Sequence, residues 1–315
     1  MQIIDKYSTL NISSCVASIG FFDGVHSGHL SLIHQVIDQA KQRGLKSGLI
    51  TFPVHPSKVM NPSLKIDHLT TKEEKTQQLD QLGLDYCFLL DFTKELSQLT
   101  AREFMDTVLR KRFHVSVLYI GYDHRFGHNR SEGFEDYRRY GKELGIEVIQ
   151  ADAHYEAGVD VSSSMIRRAL KTGDLDLAER YLGYPYFICG KVVEGKKLGR
   201  TIGFPTANIS LNSEAKLLPK DGVYAVKVGI SNYNKEFWGM LNIGVCPTVD
   251  NKAIRTIEVN ILDFDGDIYG SNVKLTFKQW LRPEVKFESL ELLIHQLHKD
   301  EQDVRNLIRT KKKTI

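Results

Sequence analysis

Short apolar runs recur through the first half of the chain, each followed by a stretch whose apolar residues stand three and four apart. CVASIGFF (15–22), SGLITF (47–52), DYCFLLDF (85–92), VSVLYIG (115–121) and IEVIQA (146–151) predict buried strands. Helical spacing over 28–43, 72–83, 100–113 and 131–144 predicts the helices between them. Buried strands alternating with helices specify a parallel sheet covered on both faces, and such sheets bind ligands beyond the carboxyl ends of their strands. From about Tyr184 the period changes. YFICGKVVEG, GVYAVKVGI, FWGMLNIGV, RTIEVNILDF and NVKLTFKQWL are strand-like runs joined by turns containing Gly, Asn and Asp. That pattern predicts a compact antiparallel barrel or sandwich. A charged amphipathic helix from about 288 to 309 closes the chain. The change of period near residues 182–185 gives an α/β domain over 1–182 and a mainly β domain over 183–315.

A length of 315 residues suits two domains. With 42% hydrophobic and 26% charged residues, the chain is neither collagen-like nor wholly disordered. The formal net charge of +3 is too small to indicate nucleic acid or a membrane as partner. It is unevenly placed: residues 1–180 carry 22 basic and 24 acidic side chains, residues 181–315 carry 20 and 15. Lys311, Lys312 and Lys313 account for three of the latter and form a solvated tail. No apolar run approaches the roughly 18 residues of a membrane span, and MQIIDKYSTL lacks the layout of a signal peptide. Cys15, Cys87, Cys189 and Cys246 stand far apart without a CxxC pair. The expectation is reduced core thiols in a cytoplasmic protein, not disulfides or a zinc site. Oligomeric state is left open.

Candidate chemistry begins where the first strand runs into GFFDGVHSGHLSLIHQ. Gly20, Gly24 and Gly28 let the backbone turn tightly and approach a ligand. His26 and His29 bracket Gly28 where the next helix opens, and a helix N-terminus is a ready phosphate site. Two imidazoles there can donate hydrogen bonds to a phosphate whose charge grows in a transition state. The plainer alternative is a glycine-rich turn with two surface histidines. Further on, the serines of VSSSMIRRAL (161–170) suit a helix N-cap, and Arg167 in the first turn can fork onto phosphate or simply be solvated.

The second half has its own candidates. In GKVVEGKKLGRTIGFPTANI (190–209), Gly195, Gly199 and Gly203 permit a close loop, Lys196, Lys197 and Arg200 bring positive charge, and Thr206 and Asn208 offer hard oxygen ligands. In RTIEVNILDF (255–264), Thr256, Glu258 and Asn260 share one strand face, opposite Ile257, Val259 and Ile261. Glu258 is thereby a rigid carboxylate suited to take a hydroxyl proton, or a solvent-facing residue of an exposed sheet. Trp238 and Trp280 can stack on a flat ring or serve as core.

GFFDGVHSGH resembles the signature of the nucleotidyltransferase superfamily, and specifically of bacterial FAD synthetases. TFPVHP (51–56), IGYDHRFGHNR (120–130) and VSSSMIRRAL resemble three further motifs of that family in the same order. GRTIGFPTAN, followed by GVYAVKV, NIGVCPTV, EVNILDFDGDIYG and WLRPEVKF, closely resembles the riboflavin kinase signature. HxGH also occurs in class I aminoacyl-tRNA synthetases, but SSSMIRR is not their lysine-rich loop. The resemblance covers nearly the whole chain. It implies a Rossmann-like nucleotidyltransferase domain followed by a small antiparallel β-barrel kinase domain with a C-terminal helix. The implied reactions are ATP-dependent phosphorylation of riboflavin to FMN, then adenylylation of FMN by ATP to FAD, with Mg²⁺ as cofactor. By the same resemblance Gly20, Phe22, Asp23, Gly24, His26, Gly28 and His29 form an ATP loop whose two histidines are catalytic. Ser162, Ser163 and Arg167 contact the ATP phosphates, and Asp123, Arg125 and Phe126 position FMN. Gly199, Arg200, Thr206 and Asn208 bind the second ATP, Thr206 and Asn208 with the metal; Glu258 is the base, and Arg282 borders the flavin. Three positions depart from the families: Val54 stands for a proline, Ser164 for a threonine and Asn260 for a histidine. A chain with one surviving activity, or a flavin- or nucleotide-binding regulator, are the alternatives; intact HxGH, PTAN and Glu258 favour the enzyme.

Overall fold

The computed structural model describes residues 1–8, 12–122, 124–152, 155–156, 158–195, 198–213, 215–247 and 253–312. The chain divides into two compact units, Met1–Ser163 and Ser164–Ile315.

Unit 1 contains β1 (Gln2–Ile4), β2 (Cys15–Ile19), α1 (Ser27–Arg43), β3 (Lys46–Thr51), α2 (Pro56–Met60), α3 (Lys72–Asp80), β4 (Tyr86–Leu89), α4 (Lys94–Gln98), α5 (Ala101–Phe104), β5 (Val115–Ile120), α6 (Phe134–Leu144), β6 (Glu147–Gln150) and the short pair β7 (Tyr155–Glu156) and β8 (Val159–Asp160). Six strands form a sheet in the order β1-β4-β3-β2-β5-β6, with every pairing parallel. The chain leaves central β2 towards β3 and β4 on one side and returns to β5 and β6 on the other. The end of β2 is therefore the switch point, where open α/β sheets hold ligands.

Alternate residues of each strand serve opposite faces of this sheet. Ile19, Ile50, Phe88 and Leu118 join one buried cluster with Met105, Phe113 and Tyr137. Leu49, Cys87 and Leu89 join the other face with Ile33, Ile37 and Leu79 of the helices. The expected helix over 100–113 is α5 continued by a π-helical turn, Met105–Arg110. Strand β1 escapes sequence reading because three residues are too few to show a period. Burial raises the Cys15 thiol to about 12 and that of Cys87 to about 11, and both are free.

Unit 2 receives α7 (Ser163–Thr172), which begins at the division, and α8 (Leu175–Leu182), then β9 (Phe187–Val193), α9 (Leu198–Thr201), β10 (Ala207–Leu211), β11 (Gly222–Ile230), β12 (Glu236–Pro247), β13 (Ala253–Ile261), β14 (Asn272–Arg282) and α10 (Leu290–Lys312). Its six strands close into an antiparallel barrel, β10-β13-β12-β11-β14-β9. Closure removes every free sheet edge. Alternation along β14 buries Val273, Leu275 and Phe277, whose ring meets Tyr224 edge-on at 5.0 Å. Helix α10 lays Val304, fully buried, and Leu297 against Phe204, Ala225 and Met240, covering one end of the core. Strand β10 falls within a segment whose Gly, Pro, Thr and Asn read as loop.

Candidate functional sites

In unit 1 the loop after β2 carries the candidate phosphate site. Gly24 takes φ +81°, but Phe22 at +54° and Val25 at +40° are in the left-handed region as well. A β-branched residue there is a steric outlier, and such strain persists only where the surroundings over-determine it. Here they do. Buried Asp23 accepts from the backbone N–H of Leu69 and of Thr70, both at 3.1 Å, and from the Thr70 hydroxyl at 3.3 Å. Gly24 N–H donates to Thr70 Oγ1, and Ser163 Oγ donates to the Asp23 carbonyl at 3.0 Å. Thr51 Oγ1 donates to the Phe21 carbonyl at 3.1 Å. The expected ATP residue Asp23 thus spends its carboxylate on fixing the loop.

His26 stands at the N-cap of α1 without a side-chain capping bond. Its ring stacks on His29 at 3.6 Å, and Phe22 meets His29 edge-on at 5.1 Å. Gly28 permits this packing: a Cβ there would lie 3.3 Å from His26 Nδ1 and 3.5 Å from the Val161 carbonyl. Likewise Gly20 lies against the Phe22 ring, where a Cβ would meet its edge at 3.0 Å. Burial, then His26, then Lys75 hold the His29 imidazole well below its ordinary range, with Asp23 opposing. His29 is therefore neutral near pH 7, and its buried Nδ1 has no hydrogen-bond partner among the described residues.

The remaining expected residues of this half differ in exposure. Ser162 is exposed, and Arg167 lies part-exposed on α7, within unit 2. Arg125 is exposed, whereas Phe126 is buried and stacks on Tyr137 at 4.2 Å, so its ring is a core anchor of that loop. Asp123 lies outside the described residues. His55 caps α2 by accepting from Ser57 N–H at 3.2 Å, directly before Pro56.

In unit 2, Glu258 of β13 stands directly opposite Asn208 of β10 on one side and Asn242 of β12 on the other. The Thr206 hydroxyl donates to Glu258 Oε2 at 3.3 Å. Buried Asn260 donates through Nδ2 to the Pro205 carbonyl at 2.7 Å, holding the residue before Thr206. Gly195 and Gly199 are obligatory close approaches: a Cβ would fall 1.9 Å from Asn208 Nδ2 and 2.2 Å from the Phe204 carbonyl, respectively. Lys196 and Lys197 lie outside the described residues.

Two cavities meet here. One, of about 330 Å³, is walled by Phe204, Met240, Phe287 and Leu297, with Glu258 and Arg282 among its polar groups. The other, of about 870 Å³, is bordered by Arg200, Glu194, Asp265 and Asp267. Thr206 borders both. Arg282 is fixed in the first by Asp300 of α10 through contacts of 2.8 to 3.1 Å, and Gln296 also donates to Asp300 at 2.8 Å. Neither tryptophan lines the smaller cavity. Trp238 joins the cluster under α10, and Trp280 carries Lys220 over its ring at 5.0 Å. Sequence reasoning missed Lys75, Thr70, Asn242 and Asp300; only Lys75 had a nearby signal, the capping box of Thr71 and Glu74 that starts its helix.

A strained loop with paired imidazoles at a parallel-sheet switch, and a carboxylate lining a barrel cavity beside a threonine shared with a second one, define a two-module transferase that uses nucleotides. Residues 9–165 match the family model for FAD synthetase and residues 182–308 that for riboflavin kinase. A bifunctional riboflavin kinase/FMN adenylyltransferase of Listeria monocytogenes is 41% identical over 96% of this chain and 94% of the relative. Its namesake in Escherichia coli is 37% identical, covering 92% of each chain. A crystal structure described as a macrolide-efflux protein from Streptococcus pneumoniae superimposes with a TM-score of 0.87 at 32% identity, over 96% of this chain and 99% of that one. Among the described residues no helix is long and apolar enough to cross a membrane. The chain belongs to the bifunctional riboflavin kinase/FMN adenylyltransferase family and carries both catalytic domains, which together serve two-step flavin synthesis.

Proposed function

We propose that each activity resides in one module, with the functional boundary near residue 182, and that the residues act as follows. In the barrel, riboflavin enters the smaller, largely apolar cavity beside Arg282, and ATP enters the larger one beside Arg200, with Gly199 on the border of the smaller. Glu258 takes the proton of the riboflavin 5′-hydroxyl as its oxygen attacks the γ-phosphorus and ADP leaves. The observation that supports this most is Thr206, which borders both cavities and bonds to Glu258. Thr206 and Asn208 supply the neutral oxygens that suit Mg²⁺, a hard cation that keeps several waters and needs few protein ligands. When bound beside Thr206 and Asn208, the metal would offset the charge of the ATP phosphates.

In the adenylyltransferase module, residues 1–182, a phosphate oxygen of FMN attacks the α-phosphorus of ATP in line, and pyrophosphate leaves. His26, His29 and the first-turn N–H groups of α1 donate to the charge that develops. Ser162, Ser163 and Arg167 hold the ATP phosphates, Gly20 to Gly28 bring backbone close to them, and Arg125, on a loop anchored by Phe126, orients FMN together with Asp123. Free Cys15 and Cys87 support a cytoplasmic enzyme.

Two substitutions test the assignment, with products separated by chromatography. Glu258→Gln is expected to abolish FMN formation while FMN supplied from outside is still converted to FAD. His29→Ala is expected to lower FAD formation by about 10²-fold or more while FMN accumulates. Parental FAD output in His29→Ala would remove the phosphate loop from the mechanism.

A further inference from the structure

We propose that Lys75 is a positioning residue of the adenylyltransferase module, a buried ammonium on α3 that locks the phosphate loop after β2 to the segment after β3. This rests on the reading of His26 and His29 as the FMN adenylylation site. Lys75 is 3% exposed, and lysine is almost never buried so far without partners. Its Nζ donates to the Phe21 carbonyl at 2.8 Å, to Thr51 Oγ1 at 3.0 Å and to the Phe52 carbonyl at 3.2 Å. An ammonium has three donors, and all three are used. The Phe21 ring also lies 4.2 Å from Nζ, centroid to nitrogen.

These acceptors belong to two separate loops. Phe21 directly precedes strained Phe22, in the loop that delivers His26 and His29 to α1. Thr51 ends β3, and Phe52 opens the segment that leads to His55. No neutral side chain can send three N–H donors from one atom into a dry gap, and charge-assisted bonds are the stronger kind. A methylene stem alone would fill the space but would leave two carbonyls and a hydroxyl of two loops without their shared donor.

The charge of Lys75 also reaches the imidazoles. Burial lowers the amine to about 8, with Asp23 and then Cys87 acting in the other direction, so it stays protonated near neutrality. From there it adds to the burial and the His26 ring that disfavour protonation of His29, against the opposing Asp23. One residue thus fixes where the loop lies and helps to keep its second histidine neutral.

The test uses the full chain. Lys75→Met keeps the length of the stem and removes the donors and the charge. The kcat for FAD formation is expected to fall about tenfold or more, since small misplacements of catalytic groups are costly, with much smaller changes in KM for ATP and FMN. Riboflavin phosphorylation by the same protein should be unchanged. The titration midpoint of His29, read from its Cε1–H NMR signal, should move upward. His26, Asp23 and Lys75 are the charged or titratable groups that act on His29, and of these the loss of Lys75 raises the midpoint while the loss of Asp23 would lower it. A lysine that merely filled space would leave the midpoint where it was. Unchanged kcat and unchanged midpoint in a folded Lys75→Met overturn the proposal. Should that variant lose its folded NMR spectrum, Thr51→Val decides, because it keeps the ammonium and removes one of its acceptors, together with that hydroxyl's own bond to the Phe21 carbonyl. A severalfold lower kcat then supports the proposal, and a parental kcat overturns it. His29→Ala, assayed in parallel, isolates the underlying reading: if FAD formation survives there, the site assignment fails and takes this inference with it.

Discussion

The barrel and the parallel-sheet unit hold their reactive groups by opposite means. In the barrel, Glu258 is placed by strand register, with Asn208 and Asn242 as its direct neighbours in a sheet without edges. In the sheet unit, His26 and His29 follow a loop with Phe22 and Val25 in left-handed conformations, each a cost of order 1–3 kcal/mol. That loop is held by residues remote in sequence: Thr70, Lys75 and Ser163. Pre-organisation comes from pairing in one unit and from buttressing in the other. A buttressed loop should fail when a support is removed, whereas a registered strand should keep its place.

The largest effect is therefore expected at Asp23. Asp23→Ala takes the acceptor from two backbone N–H groups and the Thr70 hydroxyl, and leaves the Lys75 ammonium without its opposing carboxylate. Leaving buried donors without their acceptor costs about 1–3 kcal/mol each, and Asp23 serves three of them. FAD formation should drop by about 10²-fold or more, from displacement of the histidines, while riboflavin phosphorylation stays near parental, as product chromatography would show. Equal losses of both products would break the contrast.

Asn260→Ala probes the strand site and should do less. It leaves the buried Pro205 carbonyl without its donor, at a cost of about 1–3 kcal/mol. Glu258 keeps its register, so the change falls on Thr206 and the ATP proposed to bind there. The expected result is about a tenfold loss in kcat/KM for ATP in riboflavin phosphorylation, with FMN adenylylation intact. A loss as deep as that of Asp23→Ala would mean that the strand site depends on support as much as the loop does.

The same contrast governs what the sequence discloses. Register is local, and so Glu258 and Asn260 could be assigned to one strand face from period two alone. Most strands of both units are legible for this reason. Strand β10 is not, because Thr206, Asn208 and Ser210 alternate as polar positions within a segment that begins like a loop. Buttressing is non-local. Thr71 and Glu74 announce a helix start, but nothing nearby says that Lys75 turns inward to meet Phe21, Thr51 and Phe52. The contacts of Asp23 and Phe126 are non-local in the same way: each stands in a binding motif, and one carboxylate holds residues 69 and 70 while one ring packs on Tyr137. Asp300 is separated from Arg282 by a loop and half a helix, so the pair appears only when α10 folds back.

Acid separates the two units by the smallest margin. The ordinary imidazole value is 6.5, and the folded His29 lies well below it, through burial, then His26, with Lys75 adding and Asp23 opposing. Below pH 6.5 the unfolded chain takes up a proton that the folded ring refuses. The unfolded state then binds more protons, so the stability of unit 1 is fully present above 6.5 and is lost as pH falls below it. For one proton the limiting slope is about 1.4 kcal/mol per pH unit. Both tryptophans, Trp238 and Trp280, belong to unit 2, so indole fluorescence follows that unit, while amide exchange in Val115–Ile120 follows unit 1. Between pH 6.5 and 5 the exchange-derived stability of unit 1 should fall more steeply than the fluorescence-derived stability of unit 2. His29→Gln, which cannot titrate, should flatten the difference. An unaltered slope in that variant would show that the acid sensitivity of unit 1 arises elsewhere, and that its strained loop is held without help from a neutral imidazole.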